Sequence, residues 1–200
     1  MLIATAALLA LAWTPQSQTA DAAWNRFRGP NGTGIAEGEY PAQIGPEADT
    51  LWMRSFPSGG SSPVLSHELV FLTGIENDRL VTLAFDKKTG KPAWRKAAPK
   101  VKIEKVHKTN SPATPTPLVD DKQVYVYFGS YGLICYDHAG ETKWEKPIPT
   151  PKSLYGASTS PIAFGDLLIQ VLDNESNLPG SRLSQSKILA VKRSNGDKGC

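Results

Sequence analysis

Short apolar runs separated by turn residues recur along the chain, and no segment keeps the 3.6-residue spacing of a long amphipathic helix. Leu69–Thr73, Gln123–Phe128 and Leu167–Leu172 each read as a strand. Each is preceded by a hydroxyl residue, a proline and an apolar pair: Ser62-Pro63-Val64-Leu65, Thr116-Pro117-Leu118-Val119 and Ser160-Pro161-Ile162-Ala163. Proline at the start of a strand sacrifices no ladder bond, so these elements read as short first strands. Each is followed by a third run, Leu80–Asp86, Gly132–Asp137 or Lys187–Arg193, and then by a glycine turn. Trp94 and Trp144 stand four positions after Gly90 and Gly140, and Cys200 takes that place after Gly196. The repeating unit is therefore four short antiparallel strands, with repeats predicted at about 57–99, 111–149 and 157–200, a period in the propeller range.

One four-stranded sheet of this size cannot bury both of its faces, so copies must stack on one another, and stacking around an axis gives a β-propeller. The all-β architecture expected is a propeller of four-stranded blades, about three of them here. Leu51-Trp52-Met53-Arg54-Ser55 is predicted as the outer strand of an additional blade completed by the other terminus. Trp94 and Trp144, on last strands, are assigned to the gaps between neighbouring blades. Asp86 and Asp137 end third strands ahead of a turn, the place for Asx-type hydrogen bonds to turn backbone. The third copy is expected to carry Arg193 there, so not every blade needs the carboxylate.

Composition narrows the class. With 200 residues, 40% of them apolar, the chain can build a packed core, and a net charge of +3 gives no reason to invoke a nucleic-acid partner. Leu2–Trp13 is an apolar run followed by polar Thr14–Thr19 and an Ala20-Asp21-Ala22-Ala23 cleavage pattern, which reads as a signal peptide over 1–22 and predicts a periplasmic or secreted protein. No Lys or Arg precedes the run, which leaves a buried strand as the other reading. Twelve residues are too few for a bilayer span, which needs about 20. Neither cysteine follows the run closely enough to accept a lipid, so no anchor is visible. Cys135 and Cys200 can pair in an oxidising compartment, but Cys135 reads first as a buried strand residue.

The series Ser-Pro, strand, Leu83-Ala84-Phe85-Asp86, Thr89-Gly90-Lys91 and Trp94 resembles the quinoprotein-type, or PQQ-like, repeat of eight-bladed propellers. Trp24-Asn25-Arg26-Phe27-Arg28-Gly29-Pro30-Asn31-Gly32 is similar to the opening of exported bacterial PQQ-binding-like β-propeller repeat proteins, and Thr116–Trp144 is also similar to that group. The resemblance covers nearly everything after residue 23. It implies about eight blades, which 200 residues cannot close, so the chain is expected to be a fragment or an unusually small relative, and the stop inside the third repeat favours a fragment. It also implies two candidate functions. One is a non-catalytic scaffold that binds proteins or envelope polymers, similar in role to the propeller subunit of the outer-membrane protein assembly machinery. The other is a PQQ-dependent dehydrogenase of alcohols or sugars, with a quinone and calcium on the propeller axis.

Candidate chemistry favours the first. No adjacent cysteine pair is present, and His67, His107 and His138 lack metal-ligand spacing and are expected to be solvated turn residues. The connection Lys100–Asn110 carries four lysines and one glutamate and is expected as a solvated loop, with an acidic partner or polymer as the functional reading. The stretch Asp173–Gln185 is longer than its counterparts and maps to one face of the array, but Asp173 and Glu175 supply no complete calcium-ligand set. Asn31-Gly32-Thr33 and Asn174-Glu175-Ser176 match a glycosylation pattern that carries no meaning in the bacterial context the resemblance implies. Gly29–Gly34 and Ser58–Ser62 lack the ending of a phosphate loop. No catalytic or metal residue is therefore assigned. Asp86, Gly90, Trp94, Asp137, Gly140, Trp144 and Gly196 are assigned to the repeat framework.

Overall fold

Eleven strands, arranged as successive antiparallel sheets, make up a computed structural model of the chain that describes residues 24–36, 38, 42, 45, 49–175 and 185–198. The signal segment, Ser176 and Cys200 lie outside the described residues. The first blade is β1 (Val64–Leu65), β2 (Leu69–Glu76), β3 (Arg79–Asp86) and β4 (Pro92–Ala97), in that spatial order. The second repeats it with β5 (Leu118–Val119), β6 (Gln123–Phe128), β7 (Gly132–Asp137) and β8 (Thr142–Pro147). In the third, β9 (Ile162–Phe164), β10 (Leu167–Leu172) and β11 (Lys187–Lys192) form the sheet, and Lys198 makes an isolated bridge to Val191 on the outer side. The hairpin between β2 and β3 turns at Asn77 and Asp78, both at positive φ, which keeps the Glu76–Arg79 pair in register without a glycine.

Why the sheets stack is visible in the alternation of side chains. Along β6, Val124, Val126 and Phe128 enter the core shared with the first blade, while Tyr125 and Tyr127 enter the core shared with the third. Along β7, Ile134 and Tyr136 face the first blade, and Leu133 and Cys135 face the third. Both faces of the second blade are thus buried, which explains strands that are apolar at nearly every position. On the third blade, Leu168 and Val191 pack toward the second blade, whereas Ile162, Phe164 and Ile188 on the opposite face are exposed.

Two expectations need correction. Leu51–Ser55 pairs with no strand among the described residues, so no additional blade forms around it here. In the third repeat the position of Asp86 belongs to Lys192, not Arg193: the Gly90 N–H donates to the Asp86 carbonyl, and the Gly196 N–H donates to the Lys192 carbonyl. Aligning the apolar runs misplaces this position by one residue because no carboxylate marks it.

Candidate functional site

The repeat-framework residues assemble into one recurring joint. Each tryptophan of one unit lies over the turn glycine of the next, with its indole N–H donating to a turn carbonyl. Trp94 Nε1 donates to the His138 carbonyl at 2.8 Å, and Trp144 Nε1 to the Arg193 carbonyl at 2.8 Å. A Cβ added to Gly140 would lie 2.8 Å from Trp94, and one added to Gly196 would lie 2.7 Å from Trp144. Sequence reasoning missed a third joint: Trp52 donates to the Lys87 carbonyl at 2.9 Å and covers Gly90. Trp52 thus does the work of a last-strand tryptophan without a strand beneath it. Trp94 also stacks at a tilt between Phe71 and Tyr136, with centroid distances of 5.8 and 5.7 Å.

Asp86 and Asp137 are engaged in their own turns. Asp86 Oδ1 accepts from the Lys88 and Thr89 N–H groups and from the Thr89 hydroxyl, which holds its carboxyl below the ordinary range. Asp137 Oδ1 accepts from the Glu141 N–H.

A second joint runs along the pre-proline residues at the inner ends of the blades. The Ser62 N–H donates to Thr116 Oγ1 at 3.0 Å, and the Thr116 N–H donates to Ser160 Oγ at 2.9 Å. The sequence shows these hydroxyls as a repeat but gives no sign that each serves the preceding blade. Nearby, the Trp24 carbonyl accepts from the Leu65 N–H and the Asn25 carbonyl from the Val119 N–H. The opening motif therefore caps the inner edges of β1 and β5, on the axis side of the sheets.

Two ends of the array offer surface. On the end formed by the short turns, a groove of about 390 Å³ between the first two blades is lined by His67, Glu68, Lys87, Asp120 and His138. His138 is not a free turn residue: its ring packs against Phe71, and Nε2 meets the Asp120 carbonyl at 2.9 Å. Asp120 is itself committed, taking Tyr125 and Arg193 on Oδ2 and the Lys122 and Gln123 N–H groups on Oδ1. Among the described residues, no group of three or more His, Cys, Asp and Glu side chains is placed to hold a metal ion.

The opposite end carries the connections between blades. Here Glu104 is part-buried: its N–H donates to Ser130 Oγ at 2.9 Å, and burial pushes its carboxyl up against the opposing help of the Ala157 N–H and the Ser130 hydroxyl. Beside it, a cleft of about 240 Å³ is lined by Tyr127, Ser153, Tyr155, Asp173 and Glu175. Glu175 Oε1 accepts from the Ser153 hydroxyl and the Leu154 N–H, so it ties one connection down. His107 lies against Tyr155 with ring centroids 5.0 Å apart and bonds Thr109. Cys135 is fully buried, and burial drives its thiol far above the ordinary range, which leaves no thiolate for nucleophilic work. No helix among the described residues is long and apolar enough to cross a membrane.

A family model described as outer membrane protein assembly factor BamB matches residues 42–198. Among solved structures, BamB from Moraxella catarrhalis is 19% identical and covers 74% of this chain and 37% of its own, with a TM-score of 0.47. A europium-containing methanol dehydrogenase is 10% identical and covers 72% of this chain and 24% of its own, with a TM-score of 0.52. At such identity the second likeness speaks for fold alone. The chain spans 37% and 24% of the lengths of these two proteins. No curated protein matches the chain.

Proposed function

This chain belongs to the family of the outer membrane protein assembly factor BamB, a family of PQQ-like propellers, and from that premise we propose that it is an exported, non-catalytic scaffold of the bacterial envelope that binds protein partners. One observation carries the reading: the residues that could suggest chemistry are committed to the framework. Asp86 and Asp137 hold turns, Trp94 and Trp144 join blades, and Cys135 is sealed in a core. The surface left for a partner includes that of the connections, which are tied from beneath by the Glu104 N–H on Ser130 Oγ and by the Glu175 carboxylate on Ser153 and Leu154.

The lack of a quinone and calcium is part of the same proposal. It is supported by Trp24 and Asn25, whose backbone carbonyls occupy inner-strand edges facing the propeller axis, where such a cofactor is expected. The test has two arms on the full-length protein in its host. A photo-crosslinking side chain placed at exposed Lys102, Leu154 or Ser158 is expected to yield discrete protein adducts in the envelope fraction. Titration with PQQ and calcium is expected to give no quinone-dependent dye reduction with alcohols or sugars. Stoichiometric cofactor binding with turnover would overturn the scaffold reading, as would the absence of adducts at every site.

A further inference from the structure

We propose that the strip Lys100–Lys108 is the docking site for an extended acidic segment of a partner polypeptide, a deepening of the protein-binding reading above. The strip has two sides. Inward, Val101 and Ile103 pack against the core shared by the first two blades, Val106 lies where a Cβ on Gly156 would fall, and Glu104 turns down to Ser130 and Ala157. Outward, Lys100, Lys102, Lys105 and Lys108 are all exposed, and none forms an ion pair among the described residues. The single carboxylate in the segment is thus the one that does not reach the outer surface. Four exposed positive charges are left on this one connection, and the apolar anchors hold it in place.

The backbone narrows the class of ligand. The segment is neither helix nor strand, and among the described residues the N–H and C=O groups of Lys100, Val101, Lys102, Ile103, Lys105 and Val106 have no hydrogen-bond partner. The six steps from Lys100 to Val106, ahead of the turn at Lys108 and Thr109, reach at most about 22 Å. Such a stretch, unpaired apart from the Glu104 N–H, accepts a second extended polypeptide through main-chain bonds, while acidic side chains on the incoming segment meet the lysines. A flat anionic membrane fits less well, because the same end of the array also presents Asp173 and Glu175 beside Tyr155, carboxylates that an anionic surface would repel.

The probe is a fluorescein-labelled oligoglutamate, titrated with the full-length protein and read by anisotropy. Replacing Lys100, Lys102, Lys105 and Lys108 together by Gln is expected to weaken binding about tenfold or more, since four exposed charge pairs are lost. Raised salt should weaken wild-type binding and scarcely affect what remains in the variant. A control with Lys88→Gln, Lys91→Gln and Lys122→Gln, at the opposite end of the blades, should leave affinity unchanged. An unchanged urea midpoint verifies that the variants fold. Equal affinity of wild type and quadruple variant would overturn the proposal, as would capture of phosphatidylglycerol vesicles in place of the oligoglutamate. If envelope cross-links persist while the oligoglutamate test fails, the strip is wrong and the scaffold reading stands; if no cross-link forms anywhere, the scaffold reading fails by itself.

Discussion

The joint between Trp94 and Gly140 makes a quantitative prediction about how neighbouring blades are held. Gly140 has φ 87°, and a Cβ there would lie 2.8 Å from Trp94 Cδ2 and 2.9 Å from Cγ. Gly140→Ala therefore carries two separable costs. The left-handed backbone costs about 1–2 kcal/mol for an L-residue, and forcing a methyl into a packed indole costs about 1–3 kcal/mol, for a sum of about 2–5 kcal/mol. Trp94→Ala alone should cost about 3–5 kcal/mol through lost packing against Phe71 and Tyr136 and loss of the bond to the His138 carbonyl. In the double variant the methyl meets no indole, so only the backbone cost of Gly140→Ala survives. The two substitutions should thus be coupled by about 1–3 kcal/mol, each less harmful in the presence of the other. Urea unfolding followed by circular dichroism measures all four corners of the cycle, with unchanged m-values as the check that only stability has moved. If Gly140→Ala costs as much with Trp94 absent as with it present, the indole does not sit on the glycine and the joint is misassigned.

Other consequences can be measured on the same protein. Thr116→Val preserves shape but leaves the Ser62 N–H without its acceptor, so a loss of about 1–3 kcal/mol is expected in urea unfolding. Cys135 should resist alkylation in the folded protein and react on denaturation, as followed by peptide mass spectrometry; rapid labelling of the native state would contradict its burial. Glu104 has its carboxyl pKa raised above the usual 4.5, chiefly by burial. The folded state therefore binds its proton more tightly than the unfolded state, and this stabilisation is fully present below about pH 4.5 and is lost as pH rises through the raised value. The urea midpoint of wild type should fall across that window, and Glu104→Gln should flatten the fall; parallel curves would refute the assignment.

The blades were legible because burial on both faces leaves its mark in one strand at a time. Val124-Tyr125-Val126-Tyr127-Phe128 is apolar throughout, and the spacing from Gly140 to Trp144 repeats that from Gly90 to Trp94. Trp52 was legible as a tryptophan but not as a joint, because the strand that should carry it is absent. The register of the third repeat was misread for a related reason. Its turn keeps the four-residue span from Asp86 to Gly90, whereas Asp137 and Gly140 are three apart, and only the hydrogen bonds show that Lys192 is the counterpart of Asp86. The hydroxyl ladder could not be read at all: Ser62 and Thr116 are 54 residues apart, and nothing local to a Ser-Pro or Thr-Pro pair announces a partner in the next blade.

The same division bears on where function is written. The repeating Asp, Gly, Trp and hydroxyl positions are consumed in closing a turn or joining two blades, so their repetition identifies framework and is silent about activity. The connections repeat neither in length nor in composition, and their inward residues are chosen by tertiary contacts that no period reveals. In Lys100–Lys108 the charge was visible from the sequence, but the sorting of Val101, Ile103 and Glu104 inward and of the four lysines outward was not. A framework that fixes such a segment from beneath spares its partner much of the entropic cost of ordering it, which is the physical advantage of placing a recognition surface on a propeller connection.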